Sequence, residues 1–114
     1  MKHPLHCHPL RQSIGLQLRS HPLLAGLDRH AFDELLPQLS VEEGARGARL
    51  LEQGSGELRQ FFVVEGMLKR VVANTEGREM TLHFAGQKDM ETCYEAWRAR
   101  QPAAFAIVCA KRTL

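Results

Sequence analysis

The sequence has no long apolar run, little cysteine and almost no excess of charge. No stretch approaches the roughly 20 apolar residues that a membrane-spanning helix needs, so no contact with a membrane is expected. The three cysteines are widely spaced and form no Cys-x-x-Cys pair, which argues against a disulfide framework or a four-cysteine zinc site and favours reduced thiols. Basic residues number 15 and acidic residues 13, an excess too small to indicate nucleic-acid binding.

Catalytic and targeting motifs are also missing. The sequence contains no Gly-x-Ser-x-Gly, no His-Glu-x-x-His and no phosphate-binding P-loop, so we do not expect an enzyme. The first nine residues carry histidines and prolines but no apolar core of a signal peptide, and a cytoplasmic location is expected. The length of 114 residues allows one domain.

The chain has two consecutive parts with different sequence patterns. Residues 1–20 are expected to form an irregular leader in which Ile14, Leu16 and Leu18 are spaced by two. A helix is predicted from Asp28, its N-cap, to about residue 36, because its apolar residues share one face. From about residue 41, short apolar runs alternate with glycine-containing turns, as in an antiparallel sandwich or barrel.

The pattern after residue 41 predicts individual strands and one late helix. Strands are expected at 61–64, 67–73, 80–84 and 105–110, with a hairpin loop at 74–78. Apolar residues at helical spacing between 89 and 100 predict a short helix before the last strand. The predicted fold class is therefore mainly β with some α, a jelly-roll β-roll (double-stranded β-helix) with an N-terminal helix and a short late helix.

Several segments, in this order, carry a family resemblance: His21–Leu27, Leu50–Gly54, Phe61–Lys69, Gly77–Glu79 and Pro102–Ala110. Together they resemble the N-terminal sensory domain of the Crp/Fnr family of bacterial transcription regulators, a cyclic-nucleotide-binding-type β-roll. The resemblance implies that residues 21–114 form this domain, without the family's dimerisation helix and helix-turn-helix. It further implies a small-molecule effector, a homodimer, and no sequence-specific DNA binding by this chain alone.

The resemblance also implies a phosphate-binding cassette before the last strand. In the family a Gly-Glu pair begins a short helix, and Arg-Ser or Arg-Thr follows later in the segment. The helix amides and the arginine bind the cyclic phosphate, and the glutamate accepts a hydrogen bond from the ribose hydroxyl. Thr92-Cys93 and Ala103-Ala104 stand at those positions here. An unmatched phosphate costs several kcal/mol and a lost acceptor about 1–3 kcal/mol. Cyclic nucleotide is therefore not expected to bind with the usual affinity, and the cofactor stays unknown.

The candidate pocket residues belong to this cassette: Thr92, Cys93, Tyr94, Arg100, Ala103, Ala104 and Phe105. The aromatic residues, with Trp97, are suited to stack on a planar ligand, although such spacing is more often that of a core. Arg98 and Arg100 are near enough in sequence to replace the missing arginine. Cys93 at a helix N-terminus suggests a redox-sensing thiol; the alternative is a small residue that fills the space of the family's glutamate.

Other residues leave two alternative functions open. Imidazole and thiolate suit zinc or copper, and His3, His6, Cys7 and His8 lie close in sequence, although a flexible leader without metal explains them as well. A haem-binding barrel would use His83, which faces either outward or into the roll. The basic pair Lys69-Arg70 is expected at a solvated edge. A sensor barrel for metal or haem therefore remains an alternative, as does a dimerisation or partner-binding module that uses unpaired strand edges.

Overall fold

The computed structural model describes residues 2–114, which divide into one unit that ends at Glu43 and a second that runs Gly44–Leu114. In the first unit, β1 (Lys2–Pro4) pairs with the antiparallel strand β2 (Ser40–Glu42). Helices α1 (Arg11–Arg19) and α2 (Arg29–Leu35) lie between these strands in the chain, with short 3-10 turns at Leu5–Cys7 and Leu36–Gln38.

The first 20 residues are not the irregular leader that was expected. Helix α1 occupies nine of them because their apolar pattern has a helical period. Ile14 and Leu18, four residues apart, are 3% and 6% exposed, whereas Leu16 is 74% exposed and therefore lies on the opposite face. Helix α1 thus belongs to the unit that ends at Glu43.

Helix α2 confirms the prediction from Asp28. The Asp28 carboxylate accepts a hydrogen bond from the Ala31 amide over 2.7 Å, which satisfies one of the amides that a helix start leaves unpaired. The helix buries Phe32, and the guanidinium carbon of Arg19 lies 5.1 Å above the centre of that ring. A cap and one buried aromatic therefore hold α2 in place.

The second unit is mainly β, as predicted. An antiparallel four-stranded sheet has the order β3 (Arg49–Leu51), β8 (Ala106–Cys109), β5 (Met67–Ala73) and β6 (Glu79–Gly86). A two-stranded sheet joins β4 (Gln60–Phe62) to β7 (Met90–Thr92). Helix α3 (Tyr94–Arg98) follows β7. Met90, expected in that helix, is paired with Phe62 in the sheet instead.

Side chains alternate between the two faces of the four-stranded sheet. One face supplies most of the main core, which also takes residues from neighbouring segments: Leu51, Val63, Leu68, Ala85, Cys93, Ala103, Ile107 and Cys109. The opposite face carries a smaller buried cluster of Val71, Ala106 and Val108. Strand β8 is buried at all four positions because both of its faces are covered.

The β5–β6 hairpin confirms the predicted turn, and its second strand is largely exposed. Gly77 has a φ of +83°, and the Asn74 side chain accepts amide hydrogen bonds inside the turn. Met80, Leu82 and Phe84, which alternate along β6, are more than half exposed. The register pairs Arg70 with His83 and Val71 with Thr81, so Leu82 is the extra residue of a bulge that shifts the alternation.

No helix within residues 2–114 is both long and apolar enough to span a bilayer.

Candidate functional site

The cassette predicted from sequence connects β7 to β8 and contains α3. Its first residue, Thr92, links two segments through its hydroxyl, which donates to the Arg59 carbonyl oxygen over 3.2 Å and accepts from the Tyr94 amide over 3.0 Å. The second contact satisfies an amide at the start of α3. The Thr92 side chain therefore bonds to the main chain, and the residue is only half-buried.

Cys93 lies at the N-cap of α3, as expected, and is 4% exposed. Its thiol donates to the Glu57 carbonyl oxygen over 3.1 Å, and its sulfur accepts from the Arg59 amide over 3.4 Å. The side chain also packs in the main core. These contacts favour the interpretation of Cys93 as a small residue that fills the space expected for a glutamate.

Ala103, at the other end of the cassette, is held by the same stretch of chain. Its amide donates to the Ser55 carbonyl oxygen and its carbonyl oxygen accepts from the Gly54 amide, both over 2.8 Å. Residues 54–59, here called the anchor loop, therefore bond to both positions where the resemblance implies ligand-binding side chains. Ala103 is 4% exposed.

The remaining cassette candidates lie mainly on the surface. Tyr94 and Trp97 are 40% and 47% exposed, with ring centres 6.1 Å apart, so they are not the core pair that helical spacing suggested. Ala104 is exposed, as are Arg98 and Arg100. Arg100 has a left-handed backbone, with a φ of +57°, and its amide donates to the Trp97 carbonyl oxygen to end α3.

Phe105 leads to a charged pair that sequence reasoning missed. The Arg70 guanidinium lies 4.5 Å above the Phe105 ring and donates to both oxygens of Glu91 over 2.6–2.8 Å. Glu91 is 1% exposed, and the Arg70 side chain, at 32% exposed, is half-buried beside it rather than fully solvated as was expected. The sequence position of Glu91 could have indicated its burial. Glu91 lies two residues before the buried Cys93 and therefore on the same side of an extended strand.

The histidine candidates do not come together. His8 is buried, its Nδ1 accepts from the Leu10 amide, and its Nε2 lies 3.6 Å from a Glu43 oxygen. His3, His6 and Cys7 are exposed. Within residues 2–114, no group of three or more His, Cys, Asp or Glu residues is placed to hold a metal ion. His83 shares a sheet face with Ala85, two residues away, and is exposed.

Comparison with solved structures identifies the fold. The sensor domain of the transcriptional regulator DNR from Pseudomonas aeruginosa matches with a TM-score of 0.81 at 17% identity, over 93% of this chain and 71% of that one. The N-terminal domain of a Streptomyces coelicolor transcriptional regulator matches at 0.66 and 27% identity, over 85% and 69%. This chain has the fold of a Crp/Fnr sensory domain. The predicted resemblance and jelly-roll fold are therefore confirmed.

The sensory-domain fold also occurs outside transcription regulators. The regulatory subunit of a cAMP-independent protein kinase A from Trypanosoma brucei matches with a TM-score of 0.76 at 22% identity, and the chain covers 38% of that subunit's length. A triple variant of that subunit, in which one substitution replaces threonine with arginine, is bound to cAMP in its A site. No family model and no curated protein matches the chain.

Proposed function

We propose that this chain is the effector-sensing domain of a Crp/Fnr-type transcription regulator and that it does not recognise cyclic nucleotides in the family's usual way. One observation carries the proposal: both ends of the cassette are bonded to the main chain of the anchor loop. Cys93 bonds to Glu57 and Arg59, and Ala103 bonds to Gly54 and Ser55. Neither end offers a charged side chain to a ligand.

Charge explains why this arrangement disfavours a cyclic phosphate. A phosphate that enters a partly buried site needs a cationic partner, and leaving it without one costs several kcal/mol. The half-buried guanidinium of Arg70, which lies against Phe105 at the end of the cassette, already pairs with Glu91. The trypanosome subunit supports this reasoning, because a variant with an added arginine is bound to cAMP. We infer a regulatory rather than a catalytic role.

The decisive experiment restores the missing anchors. Isothermal titration of the full chain with cyclic AMP is expected to show no binding at micromolar concentrations. The triple variant Cys93→Glu, Ala103→Arg, Ala104→Ser is expected to bind at least a hundredfold more tightly, because it regains the phosphate's cation and the ribose acceptor.

A matched control places the new charge elsewhere. Ala99→Arg adds a cation at an exposed position of the cassette and is expected to leave cyclic AMP binding unchanged. Micromolar binding by the wild-type chain would refute the proposal. If Ala99→Arg raised the affinity as much as the triple variant, the effect would come from net charge rather than from the two anchor positions.

A second candidate function is association with another copy of this chain. Strand β6 lies at the edge of its sheet and exposes Met80, Leu82 and Phe84 by 53–66%. It carries no lysine or proline of the kind that protects natural edges. We infer that two β6 edges pair across a twofold axis.

Light scattering tests this association. We expect a dimer whose fraction rises with concentration and falls in Leu82→Lys, because a charge on the strand disfavours edge pairing. Gln87→Lys, an exposed position just outside β6, is the control. A monomer at all concentrations would contradict this candidate without affecting the first.

A further inference from the structure

The most unusual feature of the second unit is the ion pair that joins its two sheets. Arg70 lies on β5 in the four-stranded sheet, and Glu91 lies on β7 in the two-stranded sheet. The Arg70 Nε donates to both carboxylate oxygens over 2.8 Å, and its Nη2 donates to Oε1 over 2.6 Å. This bidentate geometry is among the strongest that a carboxylate can find in a protein.

Arg70 occupies the core-facing side of β5. Its strand neighbour two residues away, Leu68, is 1% exposed, and its register partner Ile107 is fully buried. The Arg70 side chain is itself 32% exposed, so it extends from the core to solvent. Its Nη1 makes no hydrogen bond within residues 2–114, which leaves donors for a molecule that approaches from the solvent side.

The ion pair is continuous with the cassette. Glu91 immediately precedes Thr92, the first cassette residue, and Phe105 immediately follows Ala104, the last. The guanidinium lies 4.5 Å above the Phe105 ring, within the range of a cation–π contact. Arg70 therefore touches both flanks of the cassette, the segment for which the family resemblance implies ligand binding.

We propose that Arg70 forms the anion-binding position of this roll and that the Glu91 carboxylate occupies this position from within the chain. The effector is therefore an uncharged molecule with a carbonyl or hydroxyl oxygen. The inference rests on the proposed sensing function. An anionic ligand at Arg70 would either face the Glu91 carboxylate across one guanidinium or displace it. Displacement would leave the Glu91 carboxylate, which is 1% exposed, buried without its partner. The free-energy cost of that would exceed the gain from one new contact.

Removal of the internal carboxylate charge tests this idea. Glu91→Gln keeps the shape of the side chain, and the uncompensated guanidinium is then expected to bind an external anion. Titration with inorganic phosphate should show at least tenfold tighter binding by Glu91→Gln than by the wild-type chain. The double variant Glu91→Gln, Arg70→Met should lose that gain, since it removes the guanidinium that binds the anion.

Glu91→Leu is the second variant, because an apolar side chain suits a buried position if glutamine does not fold there. Phosphate binding by neither variant, or binding that survives Arg70→Met, would overturn the inference. Saturable phosphate binding by the wild-type chain that Arg70→Met abolishes would overturn it as well. Cyclic AMP binding by the wild-type chain refutes the proposed function, whereas failure of the Glu91 variants to bind phosphate refutes only this inference.

Discussion

The thiol of Cys93 donates a hydrogen bond to the carbonyl oxygen of Glu57 over 3.1 Å. This contact joins the start of the cassette to the anchor loop and turns the sulfur away from solvent, where Cys93 is 4% exposed. A redox or electrophile sensor needs an accessible sulfur. The structure therefore favours a packing role for this residue.

Alkylation rates follow from this burial. In the native chain, Cys7, which is exposed, is expected to react with iodoacetamide first. Cys93 and Cys109 are buried and should react more slowly by on the order of a hundredfold, because the chain must open first. Peptide mass mapping over time measures all three rates, with urea-unfolded protein as the control. Reaction of Cys93 as fast as Cys7 would revive the sensor hypothesis.

The ion pair between Arg70 and the buried Glu91 predicts that the stabilities of their variants are strongly coupled. Arg70→Met is expected to lower the free energy of unfolding by about 3–5 kcal/mol, because it leaves the Glu91 carboxylate buried without a partner. The double variant Arg70→Met, Glu91→Leu should lose less than the single variant, since no buried charge remains. Urea denaturation of the wild-type chain, Arg70→Met, Glu91→Leu and the double variant gives the coupling energy. Additive losses would show that the two side chains do not interact energetically.

Gly66 is a position where glycine is required. Its φ is +105°, and a Cβ there would lie 2.5 Å from the Arg112 carbonyl oxygen and 2.6 Å from the Thr113 Cα. Gly66→Ala is expected to lower the midpoint of thermal unfolding, with a loss of about 1–3 kcal/mol from backbone strain alone. Gly56→Ala is the control, because a Cβ at Gly56 meets no atom within 4 Å. Equal melting temperatures for the two variants would contradict this account.

The cap of α2 offers a milder test. Asp28→Ala removes the acceptor for the Ala31 amide and is expected to cost about 1 kcal/mol of stability. Asp28→Asn keeps an acceptor oxygen and should stay close to the wild-type value. Chemical denaturation followed by circular dichroism measures both. If asparagine cost as much as alanine, the contribution of Asp28 would be electrostatic rather than a hydrogen bond.

Local features of the fold were predictable because neighbouring residues determine them. The Asp28 cap and the left-handed Gly77 in its hairpin turn depend on contacts between residues close in sequence. The helical α1 was missed because Ile14, Leu16 and Leu18 fit a period of two as well as one of about four. Only burial distinguishes the two periods, and Leu16 is 74% exposed.

The candidate site was predictable only in part. The late helix followed from the helical spacing of residues 89–100, and the place of Cys93 at its start followed from the family resemblance. The contacts of Ala103 with Gly54 and Ser55 join residues almost 50 positions apart, and no local pattern encodes them. The bulge at Leu82 likewise depends on how β6 pairs with β5.

By itself, the amino-acid sequence determined the mainly β fold, the hairpin turn and the neutral residues at both cassette anchors, because propensity, spacing and side-chain type are properties of the chain. Only the tertiary structure decided that Arg70 and Glu91 meet. They lie 21 residues apart in sequence on strands of different sheets, and no local pattern pairs this guanidinium with this carboxylate until folding brings the two strands together and buries the carboxylate.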